Sequence, residues 1–247
     1  VEIIICSIVA FISGAVDAIA GGGGAISFPA LLMLGYPVST IVATSKFMST
    51  FGTAAAVYTY VKNQKTNPEL YRPGIIPTAI GALIGAYLVT VISNQFLKPV
   101  AVVLIFVFAC YSFFRPKLGT TNSYHGTNQR MIINIMLAAF IFGAYDGFFG
   151  PGTGTFWTFL FVRYVGLDFI RAAGNTKILN LVSNFVPLVY FLFIGNIMFD
   201  LGIPMAIANI AGGFYGSKLA LRKGAGAVRW VFIIMAVVLV IKIVVLG

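Results

Sequence analysis

Apolar residues fill most of this chain, in stretches interrupted at regular places by charge, proline or glycine. Six stretches, at about 39–61, 73–93, 97–114, 171–194, 203–221 and 228–246, are predicted to form helices of the roughly 17–25 residues that cross a bilayer. Four pieces are shorter, at 3–16, 25–35, 131–145 and 153–166. They come in two pairs, each divided by an aspartate and a glycine cluster: Asp17 with Gly21–Gly24, and Asp146 with Gly150–Gly154. Glycine clusters end helices. Each pair is therefore predicted to be a helical hairpin that dips into the membrane and returns, with its tip near the midplane. Irregular backbone at that depth survives only inside protein or beside a wet cavity, so the glycine tips are the first candidates for a site.

The pattern is written twice. Phe11-Ile-Ser-Gly14-Ala-Val-Asp17 reappears as Phe140-Ile-Phe-Gly143-Ala-Tyr-Asp146, and the two glycine runs fall in the same register. Beyond Leu34, Thr44-Ser45-Lys46 matches Asn175-Thr176-Lys177, Pro73 matches Pro204, Gly81 and Gly85 match Gly212 and Gly216, and Lys98 matches Arg229. Apolar composition alone does not reproduce an aspartate, a lysine and a proline in register. The chain divides into a first repeat at 1–114, a polar linker at 115–130 and a second repeat at 131–247. The expected fold class is an all-α integral membrane protein of two inverted repeats, each a broken hairpin plus three transmembrane helices.

Composition fits that class. Of 247 residues, 60% are hydrophobic and 9% charged, where a soluble domain carries roughly 25% charged residues, and the mean hydropathy is +0.99. The net charge of +10 is assigned to loops on one face of the membrane, so nucleic acid is not an expected partner. Lys62, Lys65 and Arg72 share one loop, Arg115, Lys117 and Arg130 a second, Arg163 and Arg171 a third, and Lys218, Arg222, Lys223 and Arg229 the last. An odd number of crossings per half puts these 12 of 16 basic residues on the cytoplasmic face and both termini outside. It also makes the second half an upside-down copy of the first, the plan of secondary transporters with a midplane site. Lys98 and Lys242 remain for the outer face. Val1 to Ile5 lack the basic flank of a signal peptide and are read as mature structure. Cys6 and Cys110 read as small core residues, without the spacing of a disulfide framework or metal site. No cofactor motif appears. The single histidine, His125, lies in the linker, away from any catalytic pattern, so the chain is not read as an enzyme.

Three sets of residues carry the candidate chemistry. In the first set, helices starting near Ala25 and Thr153 present unpaired N–H groups and a positive dipole end, suited to an anion. Gly21, Gly22, Gly23, Gly24, Gly150, Gly152 and Gly154 would let a ligand approach the backbone, and Ser27, Thr153 and Thr155 add hydroxyls. Gly81, Gly85, Gly212 and Gly216 read instead as sites of close helix packing. In the second set, Lys46, Ser49 and Thr53 form one helix stripe, and Lys177, Asn180 and Asn184 form its copy. A lysine this far into a span snorkels to the interface, lines a substrate or gating path, or is held by structural pairing. The third set is Asp17 and Asp146. Each has three compatible roles: helix cap, partner of Lys46 or Lys177, or proton carrier.

The segment Gly14-Ala-Val-Asp-Ala-Ile-Ala-Gly-Gly-Gly-Gly-Ala-Ile-Ser-Phe-Pro29, with Leu31, Leu32, Gly35 and Ala43-Thr44-Ser45-Lys46, resembles the TauE/SafE sulfite exporter family. Gly143-Ala-Tyr-Asp-Gly-Phe-Phe-Gly-Pro-Gly-Thr-Gly154 is similar to its second signature. The resemblance covers essentially the whole chain. It implies a duplicated membrane fold in the cell membrane and transport of a small sulfur-containing anion, such as sulfite or a small organosulfonate. Export coupled to an ion gradient, with H+ as the ion, is the expectation, in a single chain or a homo-oligomer. With no arginine in the membrane core to grip a sulfonate, recognition falls to backbone N–H groups, hydroxyls, amides and lysines, which favours a small oxyanion. A passive anion channel and a non-transporting membrane scaffold are the alternatives.

Overall fold

The computed structural model describes residues 1–97, 99–101, 103 and 121–223. The expected segment 228–246, most of 97–114, and Lys98, Cys110, Arg115, Lys117, Arg229 and Lys242 lie outside the described residues, as does the boundary between first repeat and linker. Among the described residues every regular element is helical. The helices are α1 (Glu2–Ala20), α2 (Gly24–Leu32), α3 (Val38–Lys62), α4 (Pro68–Val91), α5 (Gln129–Phe148), α6 (Thr153–Phe159), α7 (Phe169–Ile194) and α8 (Phe199–Lys223). A π-helical turn, Leu160–Val165, follows α6 directly.

Local chemistry sets the ends. The side chains of Asn67, Asn128 and Asp168 accept the N–H groups of Glu69, Met131 and Arg171, capping α4, α5 and α7, which satisfies donors that a first turn leaves open. Gly21 ends α1 at φ 77, with its N–H on the Asp17 carbonyl. A side chain is disfavoured in that left-handed conformation.

Both glycine clusters break the chain, and neither pair of arms runs on as one helix. α2 folds back along α1, where the Ser13 hydroxyl donates to the Gly23 carbonyl at 2.8 Å and to the Ser27 hydroxyl at 3.3 Å. The first arms are longer than expected. α1 has 19 residues and α5 has 20, enough to cross a bilayer, where the pattern suggested 3–16 and 131–145. The reason is that Asp17 and Asp146 do not end their helices. Each is held by a lysine and stays inside a helical turn, so only the glycines break the chain. Among the described residues, four helices are long and apolar enough to cross a membrane: α1, α4, α5 and α7. α3 and α8 have the length but not the apolarity, because polar residues on them point into protein. Thr44, Lys46, Thr50, Thr53 and Thr59 of α3, and Asn209 and Ser217 of α8, are all buried.

The helices pack in a pattern that repeats across the halves. α4 lies along α5 as α8 lies along α1, α3 contacts α8 as α7 contacts α4, and α3 meets α7. A Cβ on Gly81 or Gly85 would overlap the carbonyls of Phe140 and Ala144. One on Gly212 or Gly216 would overlap those of Phe11 and Ala15. These glycines let two backbones touch, the small-residue mode of packing in membranes. Outward, α4 presents Ile76, Ile80, Leu83, Ile84 and Tyr87, and α5 presents Met136, Leu137 and Ile141. An apolar surface of that extent suits lipid.

Candidate functional site

The two glycine breaks meet. A Cβ on Gly21 would strike the backbone of Gly154, and one on Gly24 would touch Pro151. Beside this contact lies a small cavity of about 40 Å³, against the roughly 10–15 Å³ needed by one water. Its size suits three or four heavy atoms. Its walls come from α1 (Asp17 and Gly21), α2 (Gly24 and Phe28), α3 (Ser45, Lys46, Ser49), α5 with the break that follows (Asp146, Phe149, Gly150, Pro151, Gly152), α6 (Gly154) and α7 (Asn180, Asn184).

Lys46 is 3% exposed and Lys177 1%, so neither snorkels. Each lysine pairs with the aspartate of the other half. Lys46 Nζ lies 2.9 Å from Asp146 Oδ1, and Lys177 Nζ lies 2.7 Å from Asp17 Oδ2. The capping role is excluded for both aspartates, because the cap positions of α2 and α6 are Gly23 and Gly152, with no side-chain hydrogen bond. Two charges of each sign sum to zero, which is how buried ions are tolerated. Lys46 also donates to Asn184 Oδ1 at 3.0 Å, and the Asn184 amide donates to the Thr53 hydroxyl at 3.4 Å. Asp146 accepts a second hydrogen bond, from the Ser183 hydroxyl.

The sequence-derived candidates separate into two groups. Asp17, Gly21, Gly24, Lys46, Ser49, Asp146, Gly150, Gly152, Gly154, Asn180 and Asn184 line the cavity. The remaining candidates stand behind it. Ala25 is buried, Ser27 accepts from Ser13, and Gly23 packs on Ser13 and Asp17. Gly22 does not reach the wall. The Thr153 hydroxyl donates to the Gly150 carbonyl at 2.9 Å, and Thr155 is fully buried. Thr53 and Lys177 reach the cavity only through Asn184 and Asp17. Ser45, Phe28, Phe149 and Pro151 were missed. Ser45 and Pro151 sit inside the quoted repeat motifs, so adjacency to Lys46 and to the glycines was the available signal. The phenylalanines have the same adjacency, to Ser27 and Gly150, but no polar group to draw notice; their rings meet at 4.6 Å between centroids and close one wall.

The polar inventory has donors and acceptors. Neither Gly152 nor Gly154 has a backbone acceptor for its N–H among the described residues. Ser45 Oγ and Asn180 Oδ1 are buried without a partner among the described residues. A second, roomier pocket of about 160 Å³ lies at the loops, lined by Gln64, Thr66, Asn67, Pro68, Tyr124, Leu167 and Arg171. There burial, and then the nearby Glu69 carboxylate, raise the Tyr124 phenol above its ordinary pKa.

The sequence that builds this site has relatives among known proteins. The family model described as sulfite exporter TauE/SafE matches residues 6–243. The chain belongs to the TauE/SafE family. A probable membrane transporter protein, ORF9, of Sinorhizobium sp is 34% identical over 236 residues, covering 96% of this chain and 90% of that one. One of Haemophilus influenzae is 31% identical, covering 96% and 92%. The probable membrane transporter protein YfcA of Escherichia coli K12 is 30% identical, covering 95% and 87%. No solved structure gives a significant match. As a TauE/SafE member this chain is a multi-pass membrane transporter, and the apolar faces of α4 and α5 are lipid surfaces. Its family is one of transporters, not of enzymes.

Proposed function

We propose that this TauE/SafE protein is a secondary transporter that moves a small sulfur oxyanion of the sulfite type by alternating access, outward and coupled to H+. The carrying observation is the cavity between the touching glycine breaks, with a lysine ammonium, hydroxyls and open backbone N–H groups on its walls. An anion there exchanges its water for N–H donors and the Lys46 charge, which offsets desolvation. Asp146 and the anion compete for the Lys46 ammonium. The two halves act as inverted repeats whose cross-paired lysines and aspartates hold the breaks together, and rocking one half against the other exposes the cavity to each face in turn. The family description supports sulfite and export. The size of the cavity and the lack of arginine on it support a small oxyanion over a bulky sulfonate.

Flux of labelled sulfite in proteoliposomes under an imposed pH gradient tests the reading, with sulfate, thiosulfate and organosulfonates as competitors. Saturable sulfite flux that responds to the gradient is expected. Conductance without saturation or coupling identifies a channel instead. Orientation has its own test. Cysteines at Thr66 and Ser123, both placed in cytoplasmic loops by this reading, remain unlabelled by an impermeant reagent added outside intact cells, and labelling of both reverses the topology.

A further inference from the structure

The cavity is built for a ligand that donates a hydrogen bond as well as accepting several. Asn180 is 5% exposed, and its amide oxygen has no partner among the described residues. The amide nitrogen lies beside Gly154, and the oxygen is the amide atom that is sealed without a hydrogen bond among the described residues. An amide oxygen is acceptor-only, so a bare oxyanion placed beside it meets repulsion and leaves it unpaired, at a cost like that of any buried polar group without a partner. The charge count points the same way. Lys46 is already neutralised by Asp146 and Lys177 by Asp17. A monoanion therefore leaves one uncompensated charge in this enclosure, and a dianion leaves two, a much larger desolvation penalty.

We propose that the transported species is a hydrogen-bearing monoanion, hydrogensulfite in the sulfite case, and that Asn180 is the residue that reads its proton. This rests on the anion-transport reading above and narrows it. The ligand O–H donates to Asn180 Oδ1, and its other oxygens face Lys46, the Ser45 hydroxyl and the N–H groups of Gly152 and Gly154. The proton that accompanies the anion then rides on the substrate itself. Ser49, the equivalent of Asn180 in the first half, also lines the cavity, but a hydroxyl can donate as readily as accept. The discrimination therefore belongs to Asn180.

Chlorate separates charge and shape from the proton, since it is a pyramidal XO3 monoanion like sulfite but carries no hydrogen at any ordinary pH. Purified protein in lipid nanodiscs is titrated calorimetrically with sulfite and with chlorate, at mildly acidic and mildly alkaline pH. In acid, where sulfite is mostly hydrogensulfite, it binds about tenfold or more tightly than chlorate. In alkali, where the dianion dominates, that advantage disappears. Chlorate at both pH values reads out any titration of the charged groups on or behind the walls: Lys46 on α3, Asp146 on α5, Asp17 on α1 and Lys177 on α7. Asn180→Leu, of similar shape and without polar atoms, brings acid sulfite down to the chlorate affinity. Equal binding of the two anions by the unaltered protein in acid overturns the proposal while leaving an anion site intact, as does sulfite binding that strengthens in alkali. Absence of binding by either anion at both pH values overturns the transport reading and this inference with it. The comparison of sulfite with chlorate needs no variant, so it decides even if Asn180→Leu fails to fold.

Discussion

The two lysine–aspartate pairs are written in one recurring sequence pattern, yet they occupy different surroundings. Lys46 and Asp146 both line the cavity, with side chains 4% and 5% exposed. Lys177 is sealed at 1% and only Asp17, 23% exposed, reaches the wall. Asp146 has a second donor in Ser183. At the position equivalent to Ser183 the first half has Gly52, where a Cβ would overlap the Asn209 side chain, so Asp17 goes without that hydroxyl. Among the described residues, one pair thus has a dry carboxylate with two donors and the other a wetter carboxylate with one. The dry pair is suited to hold the site's geometry, while Asp17 stays within reach of water in the cavity.

The largest test of this contrast is Asp146→Ala, which strands Lys46 as a buried unpaired charge. A loss of about 3–5 kcal/mol is expected, read from unfolding in detergent, together with loss of sulfite flux. Adding Lys46→Met restores most of the stability but no flux, separating the structural role of the pair from its functional one. If the double variant transports normally, Lys46 is not part of the site.

The contact between the breaks comes next. Gly21→Ala places a Cβ at φ 77 against Gly154. Left-handed strain and overlap together cost about 2–4 kcal/mol, and the cavity is forced open on that side. Stability is read from thermal unfolding and the site from sulfite binding. An unchanged affinity shows that the breaks need not touch.

Asp17→Ala is the counterpart of the first test and is predicted to be milder, about 2 kcal/mol, because water can reach Lys177 through the partly open position. Its flux is informative too: sulfite flux persists and still responds to a pH gradient, as expected if the proton rides on the substrate. Flux that loses that response assigns the coupling to Asp17 instead. A destabilisation equal to that of Asp146→Ala removes the contrast between the pairs.

The smallest change is Ser183→Ala, about 1.5 kcal/mol, the lower end for a hydrogen bond to a charged group. It is read by unfolding in parallel with Gly52→Ser, which has no matching space and should destabilise as well.

Much of this protein follows from the one-dimensional pattern. The glycine breaks, the long helices α3, α4, α7 and α8, and the duplicated Asp and Lys positions are legible because hydropathy, chain-breaking glycines and spacing act locally. Glycine-mediated packing of Gly81, Gly85, Gly212 and Gly216 was legible for the same reason, since small residues at helical spacing have little other use in an apolar helix. The aspartates misled the reading of α1 and α5, because a carboxylate inside an apolar helix looks like an ending until its counter-charge is known. That counter-charge is a hundred or more residues away, on the other half of the chain. Which aspartate serves which lysine, which of the glycines reach the cavity, and that Asn180 Oδ1 is left without a partner were decided only in three dimensions. Such facts depend on which helix faces lie against each other, and a periodicity shared by both halves cannot distinguish pairing within a repeat from pairing across it.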